Sequence, residues 1–130
     1  MIARNRAGQI VVAIGSGLLF ASAALHFYAG HRLGFPALAA SNLAAAMQSA
    51  FRVVFLSVAW DWIVLGFVAM VAAFTAAPRR RTLVLICGLG VLIEAVAGAA
   101  VMGVFIGNEM IGAAAILTMI GGSMLEPTDG

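Results

Sequence analysis

The sequence predicts an all-α integral membrane protein, folded as a four-helix bundle that forms a single transmembrane domain over residues 1–130. Hydrophobic residues make up 64% of the chain and charged residues only 9%. A soluble domain carries about 45–50% apolar and about 25% charged residues, so this chain cannot cover its surface with polar groups. Four apolar stretches approach the roughly 20 helical residues that are needed to cross about 30 Å of hydrocarbon.

Each predicted span has a physical boundary. Residues 30–36 contain two glycines and a proline, which predict the end of the first helix. Pro78 and the three arginines that follow it close the second helix. Asn108 is the predicted N-cap of the last helix, and Glu109 falls in its first turn, where an acidic side chain is favoured. The predicted spans cover residues 8–29, 51–76, 82–102 and 109–125.

Residues 36–50 join the first two spans and contain no helix breaker after Pro36, so they are predicted to be helical. A helix that ran unbroken into the second span would be about 60 Å long, which is more than any bilayer. The segment is therefore expected to project into the periplasm or to bend into a short interfacial helix. Ser41, Gln48 and Arg52 fall on one helical stripe, which fits either a solvated face or a lid.

The arginines predict the orientation, because cytoplasmic flanks of membrane spans are enriched in basic residues. Five arginines fall on one side of the predicted bundle and two on the other. Both termini are therefore expected in the cytoplasm, and the protein is expected in a bacterial inner (plasma) membrane. The cytoplasmic group is Arg4, Arg6, Arg79, Arg80 and Arg81, and the other two are Arg32 and Arg52.

Small residues predict where the helices pack closely. Ala95, Ala99 and Gly103 recur at every fourth position of the third span, which lets a neighbouring backbone approach. The glycines within 15–17 and 88–90 lie inside spans as well and are assigned to packing.

Two carboxylic acids, Asp61 and Glu94, fall inside the predicted spans. An ionisable residue at the centre of a membrane helix costs about 2.5–3.5 kcal/mol and is a functional candidate by default. Desolvation favours the neutral form of a carboxyl, and both residues are expected at a similar depth below the periplasmic surface. The pair is therefore predicted to share a proton across the bundle. The alternative is a buried interhelical hydrogen bond without chemistry.

Further polar and aromatic residues are predicted near these acids. His26, close to the periplasmic end of the first span, is the third catalytic candidate because histidine exchanges protons near neutral pH. The alternative for His26 is a plain helix-capping role. The two tryptophans that bracket Asp61 either wall an apolar pocket or face lipid. The predicted ligand-binding residues are Trp60, Trp62, Ser57, Tyr28 and Asn108.

Several functional classes do not fit the sequence. His26 and His31 lie five residues apart, with the second in a loop, so neither a metal site nor a haem site is predicted. Cys87 is the only cysteine and is expected to act as a small packed hydrophobe. No phosphate-binding loop occurs. We predict no cofactor, and no nucleic acid among the partners.

The leading functional hypothesis is a periplasm-facing intramembrane pocket that binds a small lipophilic molecule. One carboxyl would act as acid and its partner as base, in an isomerisation or an epoxide opening, while binding without turnover is the alternative. Two other hypotheses stay open. One is an accessory subunit of a larger membrane complex, and the other is a proton-coupled transporter that works as a homodimer, with Glu94 as the exchanging carboxyl.

Overall fold

The computed structural model describes residues 2–75 and 78–127, and all the regular structure in these ranges is helical, as predicted. Four long helices alternate with short turns, and a brief π-helical turn and a five-residue helix follow the first of them. The elements are α1 (Ile2–Ala29), the π turn (Gly30–Gly34), α2 (Phe35–Ala39), α3 (Ala45–Phe74), α4 (Arg80–Met102) and α5 (Ile106–Met124).

Three helical segments in the described part of the chain are long and apolar enough to cross a membrane. They are Ala3–Ala39, which comprises α1, the π turn and α2, then Ala45–Phe74 and Arg80–Met102. Their length and composition indicate an integral membrane protein. The fourth long helix, α5, has 19 residues and carries Asn108 and Glu109 near its start.

Each long helix packs mainly against two others. Helix α1 contacts α3 and α5, and α4 contacts the same two, so the cyclic order is α1, α3, α4, α5. Buried side chains fill the interior in two clusters. Leu19 and Trp62 belong to the first cluster, while Val12, Val84 and Leu125 belong to the second.

Helices α1 and α5 touch through their glycines. A Cβ atom on Gly121 would lie 2.7 Å from the backbone nitrogen of Val12 and 2.8 Å from the carbonyl oxygen of Gly8. A Cβ atom on Gly15 would meet Thr118 in the same way. Such backbone contact is the packing that small residues allow between membrane helices.

The small-residue repeat predicted on the third span packs only in part. Ala95 is buried in the core, but a Cβ atom on Gly103 would meet nothing within 4 Å. Gly103 has a φ of +81° and ends α4, so its role is to adopt a positive-φ backbone conformation that residues with a side chain disfavour. Gly88 does pack closely, against Met119, whereas Gly17 has open space.

Helix α1 ends at Ala29, the predicted end of the first span, but residues 30–36 do not interrupt the helical path as predicted. The chain instead widens into the π turn, in which the N–H of Phe35 bonds to the carbonyl of Gly30. Pro36 then occupies the first turn of α2, where a missing N–H is tolerated. Gly30 packs against the ring of Phe55, and a side chain at that position would collide with it.

The helical prediction for residues 36–50 fails between α2 and α3, where the chain turns. The hydroxyl of Ser41 donates to the carbonyl of Leu38 at 2.6 Å and accepts the N–H of Leu43 at 3.4 Å. Serine side chains compete with helical hydrogen bonds in this way, which explains a break without glycine or proline. The predicted stripe of Ser41, Gln48 and Arg52 is therefore interrupted, because Ser41 lies outside α3.

Helix α5 begins at Ile106, preceded by Phe105 as the capping residue, so the prediction of Asn108 as N-cap is wrong. Glu109 does lie in the first turn. All four long helices begin before the predicted spans, and residues 45–50, predicted as part of the connecting helix, form the first turns of α3. The predicted end of the second span, Ala76, lies outside the described residues.

Arg80 joins the two described ends of the chain. Its side chain is only 8% exposed, and its Nη2 donates to the Oδ1 of Asn5 at 2.8 Å. The same Asn5 oxygen accepts the backbone N–H of Glu126 at 3.4 Å. The beginning of α1, the beginning of α4 and the residues after α5 therefore meet at one end of the molecule.

Candidate functional site

Trp62 and Glu94 form the polar centre of the molecule. Trp62 points inward from α3 and is only 5% exposed. Its indole N–H donates to the Oε2 of Glu94 on α4, with a donor–acceptor distance of 2.7 Å. A short bond of this kind gives a half-buried carboxyl a fixed donor and sets the orientation of its side chain. The two helices are thus joined by a polar contact in the middle of an apolar interior.

His26 brings α1 to the same place. Its ring stacks on Phe55 with centroids 3.7 Å apart and meets the ring of Trp62 edge-on at 5.1 Å. Its Nε2 lies 3.0 Å from the carbonyl oxygen of Phe55, which can only accept a hydrogen bond. The hydrogen is therefore assigned to Nε2, which leaves Nδ1 of the neutral ring as an acceptor. Helices α1, α3 and α4 all contribute to this cluster of His26, Trp62 and Glu94, hereafter the polar cluster.

Asp61 is adjacent to the polar cluster but does not face its interior. Its side chain is exposed on the surface of α3, and it has no hydrogen bond to another described residue. Its carboxyl nevertheless lies near that of Glu94. Contrary to the prediction, the two acids do not meet across an interior space. The hydrogen-bond partner of Glu94 is instead Trp62.

Three of the predicted ligand-binding residues lie on the outer surface. Trp60 is 58% exposed and meets Phe27 edge-on, so of the two tryptophans only Trp62 points inward. Tyr28 is 63% exposed, with the guanidinium of Arg32 6.0 Å from its ring centroid. The hydroxyl of Ser57 is exposed and donates to the carbonyl of Val54 at 2.9 Å.

Asn108 is buried between α4 and α5, one helical turn from the polar cluster. Its Nδ2 donates to the carbonyl of Gly103 at 2.9 Å, and its Oδ1 lies beside Gly98. Gly98 follows Glu94 by one turn of α4. Asn108 therefore fastens the turn between the last two helices, and its one side-chain hydrogen bond among the described residues goes to Gly103 and not to a predicted acid.

Phe55 is the site residue that the sequence analysis missed. It stacks on His26 and also forms one wall of an apolar groove of about 310 Å³ between α2 and the start of α3. Phe55 precedes Trp62 by seven residues, two helical turns, so the pattern already placed both on one face. The groove is lined by Gly34, Phe35, Leu38, Leu43, Phe51 and Phe55.

A second polar group lies one turn from His26. The hydroxyl of Ser22 is buried and has no hydrogen-bond partner among the described residues. Buried hydroxyls are nearly always paired, so this one is a candidate contact for a water or a ligand. Ser16, six residues before Ser22 on α1, also has a buried hydroxyl without a hydrogen-bond partner among the described residues.

The polar cluster does not have the composition of a metal centre. Nowhere in residues 2–75 and 78–127 do three His, Cys, Asp or Glu side chains gather as metal ligands would. Cys87 is a free thiol, buried with Val84 and Ala72 in the second core cluster, two helical turns before Glu94 on α4. His26 and Glu94 can both accept and donate protons, so the polar cluster is suited to acid–base chemistry.

Comparison with known proteins adds no further residue roles. The chain matches no protein-family model, no curated protein and no solved structure. The site described above is therefore assigned from the geometry of its own side chains.

Proposed function

We propose that the chain crosses a bacterial inner membrane four times, as a bundle with both termini in the cytoplasm. Helix α5 would be about 28 Å long at its 19 residues, close to the thickness of the hydrocarbon layer. The contacts of Arg80 with Asn5 and Glu126 support an even number of crossings, because they hold both described chain ends on one side. That side also carries most of the arginines.

Cysteine labelling tests this topology. In a Cys87→Ser background, Asn42→Cys is expected to react with a membrane-impermeant maleimide in intact spheroplasts. Arg6→Cys and Pro127→Cys are expected to react only after lysis; all three positions are exposed in the structure. Labelling of Pro127→Cys from outside would mean that α5 does not cross, and labelling of Arg6→Cys from outside would reverse the orientation.

The proposed activity is the binding of a small lipophilic molecule at the end of the bundle opposite Arg80, which is the periplasmic end in this topology. One observation carries the proposal: Phe55 belongs both to the apolar groove and to the contacts of His26. An apolar ligand in the groove is thus separated from the polar cluster by a single aromatic ring. Apolar walls with a few convergent polar groups are the usual composition of a ligand site.

The polar groups suit a ligand with a hydrogen-bonding end. Nδ1 of His26 accepts, the hydroxyl of Ser22 donates, and Glu94 does either according to its protonation. Rotation of the Phe55 ring would open the path from the groove to these groups. The gain for the ligand is burial of its apolar part, at about 25 cal/mol per Å².

An acid–base reaction is the proposed extension of binding. For an epoxide, the neutral carboxyl of Glu94 gives its proton to the ring oxygen while water adds to the ring carbon. Nδ1 of the neutral His26 ring takes a proton from that water, and the proton then returns from His26 to Glu94, so that the net change is the addition of one water. An isomerisation would use the same two transfers on carbon, with no net proton uptake.

A retained ligand is the observable consequence of this proposal. We expect protein purified from native membranes to carry a lipophilic compound in roughly equimolar amount, found by mass spectrometry of an organic extract. Phe55→Ala and Glu94→Gln are each expected to lose most of it, because they remove the groove wall and the polar anchor.

Phe67→Ala is the matched control, because Phe67 is an exposed phenylalanine on the same helix and faces away from the groove. This variant should keep the compound. Equal amounts in the wild type, Phe55→Ala and Phe67→Ala would show that the compound is bulk lipid and would refute the proposed site.

A further inference from the structure

Helix α3 carries an exposed stripe with coiled-coil spacing. Its members alternate three and four residues apart, which is the 3.5-residue period of a left-handed seam between helices. All of them are exposed, so the other described helices leave this stripe uncovered. The stripe, hereafter the α3 seam, consists of Val54, Ser57, Asp61, Val64, Val68 and Val71.

A second exposed stripe on α3 has a different chemistry. Val53, Trp60, Phe67 and Phe74 recur every seven residues, and all are exposed. Three of the four are bulky aromatics, which suit contact with acyl chains. The α3 seam instead consists of short valine, serine and aspartate side chains. Short side chains let membrane helices pack closely together. The two exposed faces of one helix are thus suited to different neighbours.

Asp61 lies at the centre of the α3 seam and at the middle of the helix. It lies roughly 13 Å along α3 from the exposed Arg52 and roughly 20 Å from Phe74, so neither end of the helix brings it to water. A carboxyl facing lipid at this depth costs about 2.5–3.5 kcal/mol. The nearest acid, Glu94, already accepts the N–H of Trp62. No other described residue donates to Asp61, so a donor has to come from another molecule at the same depth.

We propose that two copies of this chain associate in parallel through the α3 seam, with Asp61 facing Asp61. The neutral carboxyl of one copy donates its O–H to the ionised carboxyl of the other, so one proton serves two acids. This inference does not depend on the proposed ligand.

A second copy meets the requirements of the α3 seam. Two copies inserted in the same direction place every residue at the depth of its counterpart, so the carboxyls meet automatically. Val54 and Val68 occupy the same heptad position as Asp61, and β-branched residues at that position favour two-stranded pairing. A single polar residue at such a position also fixes the register. One shared proton removes the repulsion that two ionised carboxylates would have at this position.

Disulfide cross-linking in native membranes tests the dimer. In the Cys87→Ser background, Val54→Cys is expected to give a disulfide-linked homodimer on oxidation with copper phenanthroline. Val53→Cys is the matched control, since it changes the same residue type one position away on the lipid-facing stripe. We expect little cross-linking of Val53→Cys. Equal cross-linking of the two variants, or a cross-linked product whose mass shows a different protein, would overturn the proposal.

The role of Asp61 is tested in the same Val54→Cys protein. Asp61→Leu is expected to weaken dimerisation about three- to tenfold, because it removes the interhelical hydrogen bond. Asp61→Asn keeps a donor and an acceptor, and dimerisation should persist. An unchanged yield in Asp61→Leu, with the helical content preserved by circular dichroism, would remove Asp61 from the interface.

Discussion

Replacement of Gly121 by alanine is expected to destabilise the protein by about 1–3 kcal/mol, the usual effect of overpacking. The added methyl group would meet the backbone of Val12 and Gly8 on α1, and neither atom can rotate out of the way. The two helices therefore have to separate along their whole contact. The free energy of unfolding, measured by titration of the detergent-solubilised protein with sodium dodecyl sulfate, reports this loss.

Gly112→Ala is the control for this experiment, since both positions lie on α5. A Cβ atom at Gly112 would lie 4.0 Å from the Cβ of Ala95, which is an ordinary contact. We expect this variant to be as stable as the wild type or slightly more so, because alanine is the better helix former. Equal destabilisation of the two variants would mean that the α1–α5 contact is not as close as described.

Removal of the indole N–H of Trp62 is the second change with a large expected effect. Trp62→Phe keeps an aromatic ring in the core but leaves Glu94 without its donor. An unsatisfied buried polar group costs about 1–3 kcal/mol, and here a cavity is added because phenylalanine is smaller. We expect a corresponding fall in the free energy of unfolding, measured by the same titration.

Trp60→Phe provides the comparison, because it makes the same substitution at an exposed position and is expected to stay within about 0.5 kcal/mol of the wild type. A double-mutant cycle of Trp62→Phe with Glu94→Leu isolates the hydrogen bond itself. A coupling energy near zero would show that the two side chains do not interact in the membrane.

The composition predicts that this protein is helical, but it does not predict which side of each helix faces the core. Membrane helices are surrounded by lipid as apolar as the core, so the hydrophobic pattern that orients a soluble helix is weak. Trp60 and Trp62 show the consequence. They are the same residue, about 200° apart on one helix, and only the structure shows that Trp62 points inward.

The sequence predicts which residues belong to the candidate site better than it predicts which of them are in contact. His26 and Glu94 were singled out because polar residues are rare in such a chain, and that signal is strong. Asp61 was assigned to the same interior from depth alone, which does not determine the face of the helix. Phe55 shares a helical face with Trp62, but that spacing does not single it out, since one phenylalanine among eight in an apolar chain is not distinctive.

The local breaks were predicted poorly for a related reason. Pro36 is predicted to end a helix, but it lies in the first turn of α2, directly after the π turn. Ser41 was placed on a helical stripe, but its hydroxyl closes a turn instead. Each outcome depends on one or two hydrogen bonds worth about 1 kcal/mol, which tertiary packing readily outweighs.

The glycine contact between α1 and α5 has a consequence for biosynthesis. Roughly 75 residues separate the two helices, which at about 5–20 residues per second corresponds to about 4–15 s of translation. During that interval α1 is already in the bilayer while its main neighbour is still being made. During this time the backbone at Gly8 and Gly15 is not covered by α5, so another membrane helix can pack against it. The first span of the nascent protein is therefore exposed to incorrect helix pairing until α5 has been made.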